Sequence, residues 1–368
     1  MMFRGLTWDH PRGFNALAAA EALGGPVQWE VQPLEGFESA PIAELCAEYD
    51  LVVLDHPHLG EALAQGCLTP LDEVFTSREL EAIADAAIGP ACSSYRMAGQ
   101  QWALPLDAAT QVAARRPDLL ETCPATWEAV EILSQQGGVA LSLAGPHAFL
   151  SFLSVCAALD PALDMADGGW PADGVAETAI DILRPLAART PDHSKTLNPI
   201  GLLEHMTRAD DIRYIPLIYG YVNYTRAARP VSFHDAPRAG ARPGSILGGT
   251  GIAISRRAKV DDALRRHLLW LLSEEVQRGF IPDHDGQPGL RVAWADESVN
   301  AAWGNFYRNT ARTLEAAAIR PRHDGYIALQ TRGSAALRAA FDTPTPAPAV
   351  ARDLRAMFEA SLPERTIP

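Results

Sequence analysis

Residues 3–25, FRGLTWDHPRGFNALAAAEALGG, carry the pattern from which the fold is read. Phe3, Leu6 and Trp8 read as the apolar positions of a strand. DHPRG breaks that run as a loop, and FNALAAAEALGG is an alanine-rich helix closed by glycine. VQWEVQPL (27–34) follows at once as a second strand, PIAELCAEY (41–49) as a short helix, and DLVVL (50–54) as a third strand ahead of DHPH and another helix. Strand, loop, helix recurs, which predicts an open parallel α/β sheet. Ligands of such sheets bind beyond the carboxyl ends of the strands, where WDHPRG (8–13) and LDHPHLG (54–60) are expected to lie.

A chain of 368 residues with 48% hydrophobic content exceeds what one core usually serves, so two compact lobes are expected. Net charge is −14, from 31 Lys+Arg against 45 Asp+Glu, which argues against nucleic acid or an anionic membrane as the main partner. The five cysteines are odd in number, widely spaced and without a C-x-x-C pair, so reduced and mostly buried thiols are expected. No run reaches the roughly 18 apolar residues that a membrane span needs, and no membrane insertion is expected. The first residues lack a basic segment followed by an apolar one. The expected location is therefore periplasmic if an upstream signal has been removed, and cytoplasmic if Met1 is the native start.

Further along, QQWALPLDAATQVAARRPDLL (100–120) reads as strands crossing between lobes, and PATWEAVEILSQQGG (124–138) as a helix capped by Thr126. GVALSLAGPHAFLSFLSVCAAL (138–159) repeats strand then helix, RYIPLIYGYVNYT (213–225) is a tyrosine-rich strand or loop, and SILGGTGIAISRRAKVDDALRRHLLWLLS (245–273) is strand, turn, long helix. PTPAPA (344–349) reads as a stiff linker before a last helix.

The order of these segments resembles the extracellular solute-binding proteins of family 1, the maltose-binding-like receptors of ABC importers. Three pieces carry the likeness: YDLVVLDHPHLGEALAQGCLTPLD (49–72), QQWALPLDAATQVAARRPDLLETCPATWEAV (100–130) and LGGTGIAISRRAKVDDALRRHLLWLLSEEVQ (247–277). The resemblance implies an α/β, two-lobed type II periplasmic-binding-protein-like fold with discontinuous lobes and a central ligand cleft. Lobe 1 would comprise residues 1–109 plus 249–297, and lobe 2 residues 110–248 plus 298–368. Crossing strands near Leu106–Thr110 and Gly248–Gly251, and a crossing around Glu297, would let the lobes hinge on a ligand. A small-molecule ligand, an ABC permease as partner if the chain is exported, and a monomeric state are what this family would bring.

The candidate cleft residues depart from the usual sugar-site composition. Trp8, Asp9, His10 and Arg12 crowd one loop, where Arg12 could grip a carboxylate in bidentate fashion while Asp9 fixes the tautomer of His10. The bland alternative is that Asp9 caps the following helix and Arg12 pairs with a surface acid. His56 and His58 share that location logic, with Asp55 beside them. Their donor types allow a metal, yet two loop histidines are more often hydrogen-bonded, and no metal is expected. His147 opens a helix that could face an anion or simply solvent. Tyr219 and Tyr221 could stack on a ring from one strand face, although tyrosine on a strand is commonly packing. Asp107 lies on the crossing strand, Gly249 and Thr250 on the return strand, and Arg291 at a rim. GGTG (248–251) lacks the lysine of a phosphate loop.

These residues point to a small anionic ligand, a carboxylate with or without an aromatic ring, and to no cofactor. The first reading is a solute-binding receptor, ABC-importer receptor-like. The alternative is a cytosolic enzyme on the same scaffold, with His10 and Asp9 as acid–base residues acting on a small carboxylated substrate. A ligand-reporting sensor ranks last, because no output domain is attached.

Overall fold

The structure, a computed structural model, describes residues 2–240 and 243–363. Met1, on which the choice of location turned, lies outside the described residues. The chain divides into two compact units: Met1–Ala109, Gly248–Tyr307 and Arg322–Asp324 form unit 1, and Thr110–Leu247, Arg308–Pro321 and Gly325–Pro368 form unit 2. Residues 298–307 were expected in the second lobe but cluster in unit 1. Their aromatic side chains account for this: the ring centroids of Phe306 and Tyr307 lie 6.2 and 5.2 Å from that of Trp294.

Unit 1 is built on strand β1 (Phe3–Trp8), helix α1 (Pro11–Ala22), β2 (Val27–Gln32) and β3 (Leu51–Leu54). β1 pairs in parallel with β2, Phe3 opposite Val27, and in parallel with β3. The four residues of β3 are all buried, as expected of a strand covered on both faces. Helix α1 starts earlier than the loop reading of DHPRG allowed. His10 is its N-cap and Pro11 takes the first helical position, where a missing N–H costs nothing and φ is already helical. The next long strand, β4 (Ala103–Arg115), is continuous over 13 residues.

Unit 2 contains the 110–115 half of β4 and is dominated by helices α2 (His147–Leu159), α3 (Asp173–Arg189) and α4 (Pro199–Arg208). β5 (Tyr214–Tyr219) and the short β6 (Ser232–His234) both run antiparallel to β4. The expected strand before α2 is not a regular one. Val139 makes a single parallel bridge to Tyr214, and Leu141 N–H is taken by Thr190 Oγ1, so the segment is extended but mostly unladdered. Tyr219 ends β5 and Tyr221 begins a 3-10 turn, so the two do not share a strand face.

The return strand β7 (Leu247–Ile254) re-enters unit 1 and pairs antiparallel with β3, Leu54 opposite Gly251. Two last helices, α5 (Tyr326–Phe341) and α6 (Ala347–Ser361), close unit 2. Half of the PTPAPA stretch is helix rather than linker, because Pro346 sits at the N-cap and prolines are tolerated in a first turn. The largely aliphatic core of unit 2 includes a group of packed aromatic rings: Trp170 stacks on Phe358 at 4.5 Å, and Gly333 of α5 passes so close to α2 that a Cβ there would meet the Phe149 ring at 2.7 Å. All five cysteines are unbridged, and Cys46, Cys92 and Cys156 are buried. No helix among the described residues is long and apolar enough to cross a membrane.

Gly249 fixes the approach of β7 to β4 within unit 1. Its φ is +88°, and a Cβ would lie 2.4 Å from the carbonyl oxygen of Asp107. Gly249→Ala should lower the unfolding free energy by about 2 kcal/mol or more, since left-handed strain adds to a backbone clash. Gly66→Ala, at φ +60° with nothing within 4 Å, carries the strain alone and should cost less. Urea unfolding followed by tryptophan fluorescence compares the two, and equal losses would mean that the β7 contact relaxes freely.

Candidate functional site

The WDHPRG loop is a device for aiming one side chain. His10 Nδ1 accepts a hydrogen bond from the Arg12 backbone N–H at 3.1 Å, which caps α1. Gly13 has no Cβ because the Trp8 indole lies against it; a Cβ would come within 2.3 Å of that ring. Thr7 Oγ1 donates to the Gly13 carbonyl at 2.9 Å and ties the strand end to the first helical turn. Arg12 therefore leaves the helix start in one direction. Its Nε donates to Asp107 Oδ2 at 2.8 Å and its Nη2 to Asp107 Oδ1, a bidentate pair with side-chain exposures of 5% and 4%.

This geometry revises several expectations. Asp9 is exposed, and it neither caps α1 nor orients His10, whose Nδ1 is already an acceptor. Trp8 is buried against Phe37, with ring centroids 5.1 Å apart, and so serves as packing. Arg12 pairs with an acid, but a buried one rather than a surface one. Burial first, and then the Arg12 guanidinium, push the His10 imidazole down to about 3. Burial pushes the Asp107 carboxyl up while Arg12 pulls it back, and Asp55 is near enough to push it further up.

Asp107 is held by backbone on both sides. Gly249 lies against its carbonyl, Asp107 bridges to Pro288, and Ala108 N–H donates to Gln287 O at 3.0 Å while Gln287 Nε2 returns a bond to Ala108 O at 3.1 Å. Gln287 is fully buried, and nothing in its local sequence marks it as a partner of the crossing strand. Thr250, one residue beyond Gly249, is buried, and its Oγ1 has no hydrogen-bond partner among the described residues. His56 and His58 are buried in a 3-10 turn, with Asp55 Oδ1 at 2.9 Å from His56 N and 3.1 Å from its Nδ1. Arg291 is exposed and donates to the Asp85 carbonyl at 3.3 Å. Unit 1 thus brings together Trp8, His10, Arg12, Asp107 and Gly249, with Thr250 adjoining, whereas Asp9 is exposed and Arg291 is exposed and bonded to the Asp85 carbonyl.

Unit 2 holds a separate group. His147 is buried rather than solvent-facing, in the first turn of α2, with Tyr219 edge-on at 6.1 Å between centroids. Tyr219 OH donates to the Leu247 carbonyl at 3.4 Å, and the same carbonyl accepts from Arg320 Nε at 3.1 Å. Tyr221 packs on Tyr224 at 6.5 Å. A buried hydroxyl and amide network lies beneath: Thr110 Oγ1 to Ser245 Oγ at 2.7 Å, Ser154 Oγ to Gln111 Oε1 at 2.7 Å, and Ile246 N to Ser154 Oγ at 3.1 Å. A cavity of about 360 Å³ in unit 2, lined in part by Leu143, Lys195 and Arg338, contains none of the residues singled out from the sequence.

No protein-family model matches this chain, and no curated protein does. Solved structures do. An ABC transporter solute-binding protein from Agrobacterium radiobacter K84, solved with ribitol, is 20% identical with a TM-score of 0.78, and 98% of each chain is covered. The sugar-binding protein MalE from Xanthomonas citri is 15% identical with a TM-score of 0.76, covering 98% of this chain and 97% of that one. UgpB from Mycobacterium tuberculosis, solved with glycerophosphocholine, is 14% identical with a TM-score of 0.76 over 98% of both chains. The chain has the two-lobed, periplasmic-binding-protein-like α/β fold of these ABC solute-binding proteins.

Two outcomes are expected from the Arg12 loop. Arg12→Ala should cost about 3–5 kcal/mol of stability by leaving Asp107 buried and unpaired, while the double change Arg12→Met with Asp107→Leu should cost much less; a double-mutant cycle in urea measures the difference. Because the folded-state value for His10 is about 3 against 6.5 unfolded, the unfolded chain binds the extra proton between those limits. Stability supplied by neutral His10 is complete above 6.5 and falls as pH drops toward 3, by up to about 1.4 kcal/mol per pH unit. His10→Asn, which keeps a capping acceptor, should flatten that part of the stability–pH curve, and an unchanged slope would remove His10 from the account.

Proposed function

We propose that this chain is the solute-binding receptor of an ABC importer and that its ligand is a small, neutral, hydroxyl-rich molecule, a sugar or polyol. The observation that carries the ligand class is the bidentate pairing of Arg12 with Asp107. Asp107 already fills the Nε–Nη2 edge of the Arg12 guanidinium, the bidentate edge a carboxylate ligand would use, and neutralises its charge. Asp55 is near enough to act on the Asp107 carboxylate, and this second negative charge disfavours a further anion there. A hydroxyl both donates and accepts, so it can bond an Asp107 lone pair without dismantling the pair, and the buried Thr250 hydroxyl is a further candidate partner. The likeness to chains solved with ribitol and D-mannitol and to the sugar-binding protein MalE supports the same class.

The enzyme alternative loses its acid–base pair, since Asp9 is exposed and His10 Nδ1 serves as a helix cap. A thermal-shift panel of polyols, mono- and disaccharides, aromatic acids and small carboxylates tests the proposal, with the mass of each active compound checked afterwards. A ligand at 100 times its Kd adds about 2.7 kcal/mol, enough to raise the midpoint by a few degrees. A polyol or sugar should shift the protein, return unchanged, and lose its effect in Asp107→Asn. If only carboxylates shift the protein, the ligand class is wrong; if the active compound is consumed, the receptor role is.

A further inference from the structure

Unit 2 carries a cluster of metal-ligating side chains that the solute-binding reading does not use. His193 lies in a 3-10 turn (Asp192–Ser194) whose shape is fixed by Ser194 Oγ donating to the Pro191 carbonyl at 2.7 Å. His205 is in the last turn of α4, which is capped by Asn198 through Gly201 N–H at 2.9 Å. Asp211 follows in the loop to β5. The two Nε2 atoms are 3.4 Å apart, His205 Nε2 is 2.7 Å from Asp211 Oδ1, and His193 Nε2 is 3.0 Å from Asp211 Oδ2. One ligand atom from each residue lies within 4.8 Å of the others.

Metal–nitrogen bonds of about 2.0–2.1 Å in a tetrahedral shell put neighbouring ligand atoms roughly 3.3 Å apart, which is the spacing the imidazoles already have. The neighbouring charges are committed elsewhere: Asp210 bonds Arg116 at 3.2 Å and Arg229 at 2.9 Å, and Lys195 pairs with Asp192 at 2.8 Å. The bland account of the cluster is a carboxylate accepting one N–H from each ring. That arrangement already holds the three ligand atoms at the mutual spacing a metal shell requires, so a metal could replace the two N–H protons without moving the backbone.

We propose that His193, His205 and Asp211 form a binding site for a divalent transition metal of the zinc class, with its remaining positions open to water or to a donor from another molecule. Two imidazoles and one carboxylate suit zinc and its neighbours better than magnesium or calcium, which take oxygen shells. Each ring must carry its proton on Nδ1 when the metal takes Nε2. Side-chain exposures of 51% for His193 and 25% for His205 give solvent the access that exchange needs. The bound metal would pin the 3-10 turn to the end of α4 and the entry to β5.

The test uses tag-free, chelator-stripped protein titrated with Zn²⁺ against a chromophoric chelator, and with Co²⁺ for its d–d absorption. One saturable equivalent is expected, together with a rise in the thermal midpoint. Affinity should fall at least about tenfold in each of His193→Ala, His205→Ala and Asp211→Asn, with loss of the Co²⁺ bands. All three side chains are at least partly exposed, so the variants should fold, and circular dichroism checks that they do. Absence of saturable binding overturns the proposal. So does binding that survives all three substitutions, which would direct the metal to the thiols.

Discussion

The buried pair of Arg12 and Asp107 is the constraint on which the rest of unit 1 depends. Two charges taken out of water cost several kcal/mol each unless the geometry is close to ideal, and a bidentate fork on a carboxylate is such a geometry. Everything in WDHPRG contributes to it. His10 ends the extended backbone and caps α1, Pro11 sets the first helical φ, and Gly13 leaves room for the Trp8 indole. A side chain at residue 13 would push the indole or the helix start away and carry Arg12 out of reach of β4.

The other partner is positioned by a different means. Asp107 sits on a strand whose backbone is clamped by Gly249 on one side and by the 285–289 turn on the other, with Gln287 exchanging two hydrogen bonds with Ala108. Three residues further along the same strand, Thr110 and Gln111 belong to unit 2 and enter a network of hydroxyls and amides with Ser154 and Ser245. One 13-residue strand thus serves an ion pair in one unit and a neutral polar network in the other. The groups of this network are hydrogen-bonded to one another, which keeps the cost of burying them low.

Periodicity made the strands and helices of unit 1 legible, because a short apolar run followed by a proline or glycine punctuation has few other meanings. The order of segments carried the fold further than any single motif did. Partners were not legible. Arg12 and Asp107 are 95 residues apart, so a sequence can offer Arg12 as a cation without revealing that its anion is internal. The histidines of DHPH read as loop ligands because nothing local says that a 3-10 turn buries them. His193, His205 and Asp211 escaped notice for the same reason: the side chains converge only once α4 has turned the chain back on itself. Gln287 was hidden by the conspicuous Arg291 near it.

A charge pair that is already satisfied has a consequence for recognition. An anionic ligand that displaced Asp107 from the Nε–Nη2 edge of Arg12 would leave that carboxylate buried without its cation, a penalty of several kcal/mol that a single new ion pair only offsets. A hydroxyl faces no such exchange: it donates to the carboxylate and leaves the fork closed. The selectivity of such a site comes less from what it attracts than from what it has already bound internally. Fold alone does not choose a ligand, and the internal pairing of charges is the kind of feature by which chains of one fold come to differ in what they bind.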